Sequence, residues 1–309
     1  MKKGMFFTLM AISLVSFLVV TFSITAQYRY YNKMRLIETR AGLMNSFIDS
    51  LEKDMSRALY ISGFRAIVSI DNYIVTNGTF ISDLDATFDE VILNGTINGQ
   101  QQILMINQTL TAWKNKIINK SRDSGLFVDI NIFDIKVEQI SPWVMKFSAV
   151  MNFTLTDKYN TASWNMSNVE ISSLLEVYGF EDPLYALNTN NKISRRIEAT
   201  NITNWDNATL LSHLTSHTYD ANPNAPSFLM RLTNNMSPSP YGIESLVDTN
   251  ELIIYGIGVK NSTSSVDYLY WDGGGVNNSY IHGISDNGHP YFMLDSEHAA
   301  FYNVTNCTY

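Results

Sequence analysis

The run from Met5 to Tyr28, MFFTLMAISLVSFLVVTFSITAQY, contains no charged residue, and it constrains the chain more than any other feature. About 20 such residues rising 1.5 Å each are enough to cross a hydrocarbon core of roughly 30 Å. The run therefore predicts one transmembrane helix. A cleaved secretory signal has an apolar region of about 7–15 residues followed by small residues. Here the run is longer, and Ile24-Thr25-Ala26 matches a cleavage point poorly. No second span is expected, because the next purely apolar run, Leu252 to Val259, contains two glycines and has strand length.

Beyond the span, Met34, Ile37, Ala41, Met44, Ile48, Leu51 and Met55 recur at alternating spacings of three and four, the seam of a heptad helix. Arg35, Glu38, Arg40, Glu52, Lys53 and Asp54 fall between them, and no Pro interrupts the pattern. The apolar span is thus expected to continue outward as one amphipathic rod ending near Ser62-Gly63. Such a seam serves equally for packing on the chain's own exterior domain and for packing on a partner helix in an oligomer or filament.

Basic residues alone do not orient the span, since Lys2 and Lys3 precede it while Arg29, Lys33, Arg35 and Arg40 follow it. The acceptor motifs for N-glycosylation decide. Asn-x-Ser/Thr occurs thirteen times, at Asn77, Asn94, Asn107, Asn119, Asn152, Asn165, Asn201, Asn207, Asn235, Asn261, Asn277, Asn303 and Asn306, where random placement gives about five. Acceptors are useful only on the translocated side, and long domains translocate largely regardless of charge. The expectation is a cell-membrane protein with a cytoplasmic N-terminus and a glycosylated extracellular domain from about residue 30 onward.

Met1-Lys2-Lys3-Gly4, then an apolar helix that runs into an amphipathic one, resembles the N-terminus of archaeal type IV pilin-like membrane-anchored proteins. The resemblance implies cleavage after the basic-Gly pair, with Lys3, Gly4 and Met5 as the processing residues, and an apolar helix that acts first as anchor and then as filament core. It also implies self-association with pilus-type subunits. Leu9, fifth after Gly4, stands where bacterial members carry a Glu that pairs with a neighbour's amino terminus. Ser141-Pro142-Trp143, Gly179 to Tyr185 and Tyr241 to Leu246 are similar to strings in membrane-anchored archaeal proteins of the same layout, and no activity attaches to that likeness.

The remaining pattern predicts an α+β fold: a tail over 1–4, the span over 5–28, an amphipathic helix over 29–62, a helical segment over 63–125, then an antiparallel β region over 126–185. In the helical segment Ser82 is placed to cap a helix carrying Leu84, Phe88 and Ile92, and Ile103, Ile106, Leu110, Trp113 and Ile117 step three and four. From Leu126 the period becomes two, Ser141-Pro142 turns the chain, Trp143 to Thr156 alternates again, and Val169 to Tyr178 reads as a third strand. Residues 186–240, rich in Asn, Ser, Thr and Pro, read as loops. A β-rich region closes the chain over 241–309, with strands at Glu251–Val259, Ser265–Trp271 and Tyr291–Leu294.

Composition limits the chemistry. The chain carries a net charge of −8, with only Arg231 and Lys260 as basic residues after Arg196, so it offers no polyphosphate surface and nucleic acid is not expected as a partner. Asn, Ser and Thr number 31, 30 and 24 and supply most of the exposed polarity, because only 16% of residues are charged. Cys307 is the single cysteine, which precludes an intrachain disulfide. His213 and His217 lie four apart without the Glu of a zinc-protease helix. Asp83, Asp85, Thr87 and Asp89 lack the Gly and terminal acid of a calcium loop, and read as a helix start. His282, His289, Asp295 and His298, with Glu297, are the residue types that would hold a transition metal if they converged. They leave open a membrane-anchored, metal-dependent hydrolase beside the structural or adhesive surface protein. No cofactor motif is present, and the Tyr268, Tyr270, Trp271, Tyr280 and Tyr291 stripe reads as core or as a sugar platform.

Overall fold

The structure, a computed structural model, describes residues 2–274 and 278–304, with side chains from Gly4 onward. It is α+β, with a long N-terminal apolar helix and small antiparallel sheets. Along the chain, α1 (Lys2–Asn77) and α2 (Leu84–Asn94) precede a short hairpin, β1 (Thr96–Ile97) and β2 (Gln100–Gln101), and α3 (Leu110–Asp123) follows. Strands β3 (Leu126–Ser141), β4 (Val144–Asp157) and β5 (Ser163–Glu176) form a three-stranded sheet in sequence order. Then come α4 (Pro183–Asn188), α5 (Asn207–Ser216), β6 (Asp220–Ala221), α6 (Phe228–Arg231), β7 (Ile243–Glu244), α7 (Thr249–Ile254), α8 (Asp267–Asp272), β8 (Ser279–Tyr280), β9 (Met293–Leu294) and α9 (Ser296–Phe301). Strands β6 and β7 pair antiparallel, as do β8 and β9.

Two compact units emerge. One comprises Met1–Asp54, Lys116–Asn131 and Asn152–Asn168. In it the run of α1 from Met5 to Tyr28 is apolar and long enough to cross a membrane, with none of the helix's most apolar window buried. Met34 and Ile37 are exposed and Ala41 is half-buried, whereas Met44, Ile48 and Leu51 are buried in the same unit as Leu126, Val128 and Ile130 of β3 and Phe153 and Leu155 of β4. The seam from Met44 onward, Met55 included, is therefore occupied by the chain's own fold. Asp157 fixes the turn into β5 by accepting from Thr161 N at 2.6 Å and Ala162 N at 3.2 Å.

The second unit comprises Met55–Asn115, Ile132–Met151 and Val169–Tyr309. Here α1 passes Ser62-Gly63 without a break and ends at Asn77, so the sequence-based end near 62 is corrected. Gly63 is a packing residue: a Cβ there would come within 2.9 Å of the Phe147 ring. The helix ends where Gly78 adopts a left-handed φ of 68°, a conformation that costs Gly little. Asp83, not Ser82, caps α2 by accepting from Ala86 N at 3.0 Å. The step expected from Ile103 to Ile117 is broken at Asn107, whose φ is positive, and Ile103 is 83% exposed.

The larger corrections fall after residue 185. Residues 186–240 are not loops alone: Ile193, Ile197, Leu210, Leu214, Tyr219 and Phe228 are buried, and α5 carries a capping box between Asp206 and Thr209. The strands expected at Glu251–Val259 and Ser265–Trp271 are instead α7 and α8. Asp248 caps α7 through Asn250 N and Glu251 N, and there local capping overrides the β preference of Ile253 and Ile254; α8 has no side-chain cap and ends where Gly273 adopts a left-handed φ of 80°. Tyr268 and Tyr270 are buried in the core, not arrayed as a sugar platform, whereas Tyr291 is exposed.

Candidate functional site

The strongest concentration of polar chemistry lies buried in the second unit. Arg231, at the end of α6, has no exposed surface. Its Nη1 donates to Asp182 Oδ2 at 2.7 Å and to Asp267 Oδ2 at 2.8 Å, and Nη2 donates to Asp267 Oδ1 at 3.3 Å and to the Ile243 carbonyl. Each carboxylate is held from its own element. Asp182 caps α4 by accepting from Leu184 N, and also accepts from the Tyr219 hydroxyl at 2.8 Å. Asp267 accepts from Ser245 N and Oγ at 3.0 and 2.7 Å, while Tyr185 OH and Ser245 Oγ lie 2.9 Å apart. Burial raises the Asp182 carboxyl despite the Arg231 charge beside it. On α1, burial followed by repulsion from Glu181 and Asp182 pushes the Asp71 carboxyl well above its usual range, and its Oδ1 has no partner.

A second cluster centres on His298 of α9. Its Nδ1 lies 2.8 Å from both Asp295 oxygens and its Nε2 lies 3.1 Å from Glu244 Oε2. Glu244 also accepts from Asn222 Nδ2 at 2.8 Å and Tyr302 OH at 2.6 Å, and Ser264 Oγ donates to Asp295 Oδ2 at 2.8 Å. Burial pulls the imidazole pKa down, but hydrogen bonds to Asp295 and Glu244 outweigh it and raise it to about 10. Burial also acts to raise Asp295, yet the bonds from His298 and Ser264 bring it down to about 2. The ring is thus a charged clamp between two carboxylates, with both nitrogens engaged, and near neutral pH it has no lone pair for base catalysis. A cleft of about 430 Å³ opens beside it, lined by Tyr268, Asp295, Glu297, His298, Asn224 and Met236 among others.

The histidines and acids singled out from sequence do not converge. His289 Nδ1 lies 2.7 Å from Asp248 Oδ1, and His282 Nδ1 lies 2.6 Å from Asp286 Oδ2 at the surface. Only Asp295 and His298 meet, and among the described residues no group of three or more His, Cys, Asp or Glu is placed to hold a metal. His213 and His217 part as well. His213 is buried against Trp205, with Nδ1 2.7 Å from Thr218 Oγ1, while His217 ends α5 in a left-handed turn. Comparisons with protein families, curated proteins and solved structures find no match.

Of the acceptor asparagines, Asn77, Asn94, Asn107, Asn119, Asn165, Asn201, Asn235, Asn261 and Asn303 are exposed, and Asn152 and Asn207 are half-buried. Asn277, Asn306 and the side chain of Lys3 lie outside the described residues; Gly4 and Met5 sit exposed in α1. Sequence reasoning missed Arg231, Asp182, Glu244 and Asp267 as a set. One signal was available: Arg231 is one of two basic residues in the last third of the chain, and it stands between Leu229-Met230 and Leu232. The strings Gly179–Tyr185 and Tyr241–Leu246 supply Asp182, Tyr185, Glu244 and Ser245 to these clusters.

Proposed function

We propose that the chain is a single-pass, externally exposed, N-glycosylated surface protein of pilin-like build, with a structural or adhesive role. The observation that carries this reading is α1 itself. One uninterrupted helix exposes its large apolar residues from Met5 to Tyr28 and then buries Met44, Leu59, Ile67 and Ile74 in the fold, so anchor and exterior core are one element. The exposure of nine acceptor asparagines supports the external orientation, since an occupied acceptor needs room for a bulky, soluble group. The buried clusters support a structural role, because Arg231 is tied to Asp182 and Asp267, and His298 to Asp295 and Glu244, inside the fold.

Intact mass and N-terminal sequencing of protein from native membranes test the reading. An N-terminus at Met5 with sugar mass at several acceptors is the expected result, and crosslinking on intact membranes should then capture multimers. A start at Met1 or Lys2 removes the filament branch and leaves a permanent anchor. Absence of sugar at every acceptor removes the external orientation.

A further inference from the structure

A second cleft, of about 380 Å³, lies between the last turns of α1 and the β1–β2 hairpin. None of its ten lining residues is charged, and eight carry a side-chain hydroxyl or amide. Asn72, Tyr73 and Asn77 contribute from α1, Gln100 and Gln102 from the hairpin side, and Ile103, 83% exposed, forms an apolar lip. Several of these groups are held in place: Asn98 Nδ2 donates to Tyr73 OH at 2.9 Å, Asn77 Nδ2 to the Tyr73 carbonyl at 2.9 Å, and Gln102 Nε2 to the Gln100 carbonyl at 3.0 Å.

We propose that this cleft binds neutral sugar units. Side-chain amides offer a donor and an acceptor side by side, which matches neighbouring hydroxyls on a pyranose ring, while Ile103 suits the ring's C–H face. The lining carries no charged side chain, and Arg65 beside it is engaged with the Leu104 carbonyl at 2.9 Å, which disfavours phosphate, carboxylate and metal ligands, whose desolvation needs a paired charge, and the volume falls within the usual range for small-ligand sites, about 300–1,000 Å³. Two sources share this chemistry. One is a glycan on Asn77 itself, an acceptor that lines the cleft; that source rests on the external, glycosylated reading above. The other is a sugar chain from outside, which does not.

The test uses the full chain in detergent. Glycopeptide mass spectrometry reads occupancy at each acceptor, and calorimetric titration with N,N′-diacetylchitobiose and cellobiose reads binding to wild type and to Thr79→Ala. This change removes the Asn77 acceptor and leaves the lining intact. If Asn77 carries the glycan, disaccharide should bind Thr79→Ala at least tenfold more tightly than wild type. If Asn77 is bare, both should bind alike. In either case N72A/Q100A, added to Thr79→Ala, should weaken binding at least tenfold, and Gln100→Ala alone should weaken it severalfold should the double variant unfold. The proposal is overturned if neither disaccharide binds Thr79→Ala, or if the lining variants leave binding unchanged. Sugar absent from every acceptor counts against the external reading alone, while the titration still judges the cleft.

Discussion

Arg231 and Asp267 are joined by two hydrogen bonds with neither side chain exposed to solvent. An ion pair so placed contributes little over a well-packed apolar substitute, but removing one partner leaves a buried charge uncompensated. Arg231→Met should therefore lower stability by about 3–5 kcal/mol, read as a drop in the urea midpoint at unchanged slope. Adding Asp267→Asn to that variant should recover part of the loss. Equal midpoints for Arg231→Met and wild type would contradict the burial of this pair.

The His298 clamp makes stability depend on alkaline pH. Its pKa, raised to about 10 in the fold against an ordinary value of 6.5, means that the stabilisation is complete below about 6.5 and fades as pH rises through 10. Unfolding midpoints measured at pH 7, 8.5 and 9.5 should fall steadily in wild type. In His298→Gln the curve should start lower and run flat across the same window.

His213 produces the opposite limb. Burial brings its pKa down to about 4, so the unfolded chain binds a proton first as pH falls below 6.5, and stability drops until pH reaches about 4. Nε2 of this ring has no partner, and His213→Phe should flatten the loss between pH 6.5 and 4. A midpoint in that variant that still falls as steeply as wild type would move the acid sensitivity elsewhere.

Gly242 and Gly63 are glycines for steric reasons that a melting curve can separate. A Cβ at Gly242 would run into the backbone carbonyls of Ala225 and Asn222, which cannot move aside without breaking the loop that leads into β7. At Gly63 it would meet only the Phe147 ring, a side chain. Gly242→Ala should abolish cooperative unfolding, whereas Gly63→Ala should cost a few kcal/mol and be eased by Phe147→Leu. A Gly242→Ala protein that melts like wild type would refute the close approach.

Periodicity made the N-terminal half legible. The apolar run, the three-four seam from Met34 to Met55 and the alternations from Leu126 to Val137 and from Trp143 to Thr156 each repeat long enough to fix an element's type, and β4 buries Met145, Phe147, Ala149, Met151, Phe153 and Leu155 at every second position, with Ser148 buried among them. The end of α1 was illegible because Gly63 looks like a stop signal, whereas it is Gly to make room for the Phe147 ring, and the helix continues past it with Ala66, Ile67, Ile70 and Ile74 buried. The last third resisted for a different reason. Helices such as α7 and α8 are six residues long, too short for a period to show; α7 is held by the Asp248 cap, and Asp267 of α8 by buried contacts to Arg231 and Ser245 from distant segments. Nothing in the local sequence sets Asp182, Glu244 and Asp267 apart, and only the fold places them around Arg231 and His298.

The continuity of α1 also sets an order on synthesis. Its residues from Met55 to Ile74 leave the ribosome early, yet Phe147, which packs on Gly63, follows about eighty residues later. The nascent chain must therefore carry a bare apolar helix face until the sheet arrives, and under the anchored reading proposed above it does so beside the membrane. That interval is when a chaperone or a neighbouring nascent chain has access to Leu59, Ile67 and Ile70, and a slowed translation of residues 80–150 would lengthen it.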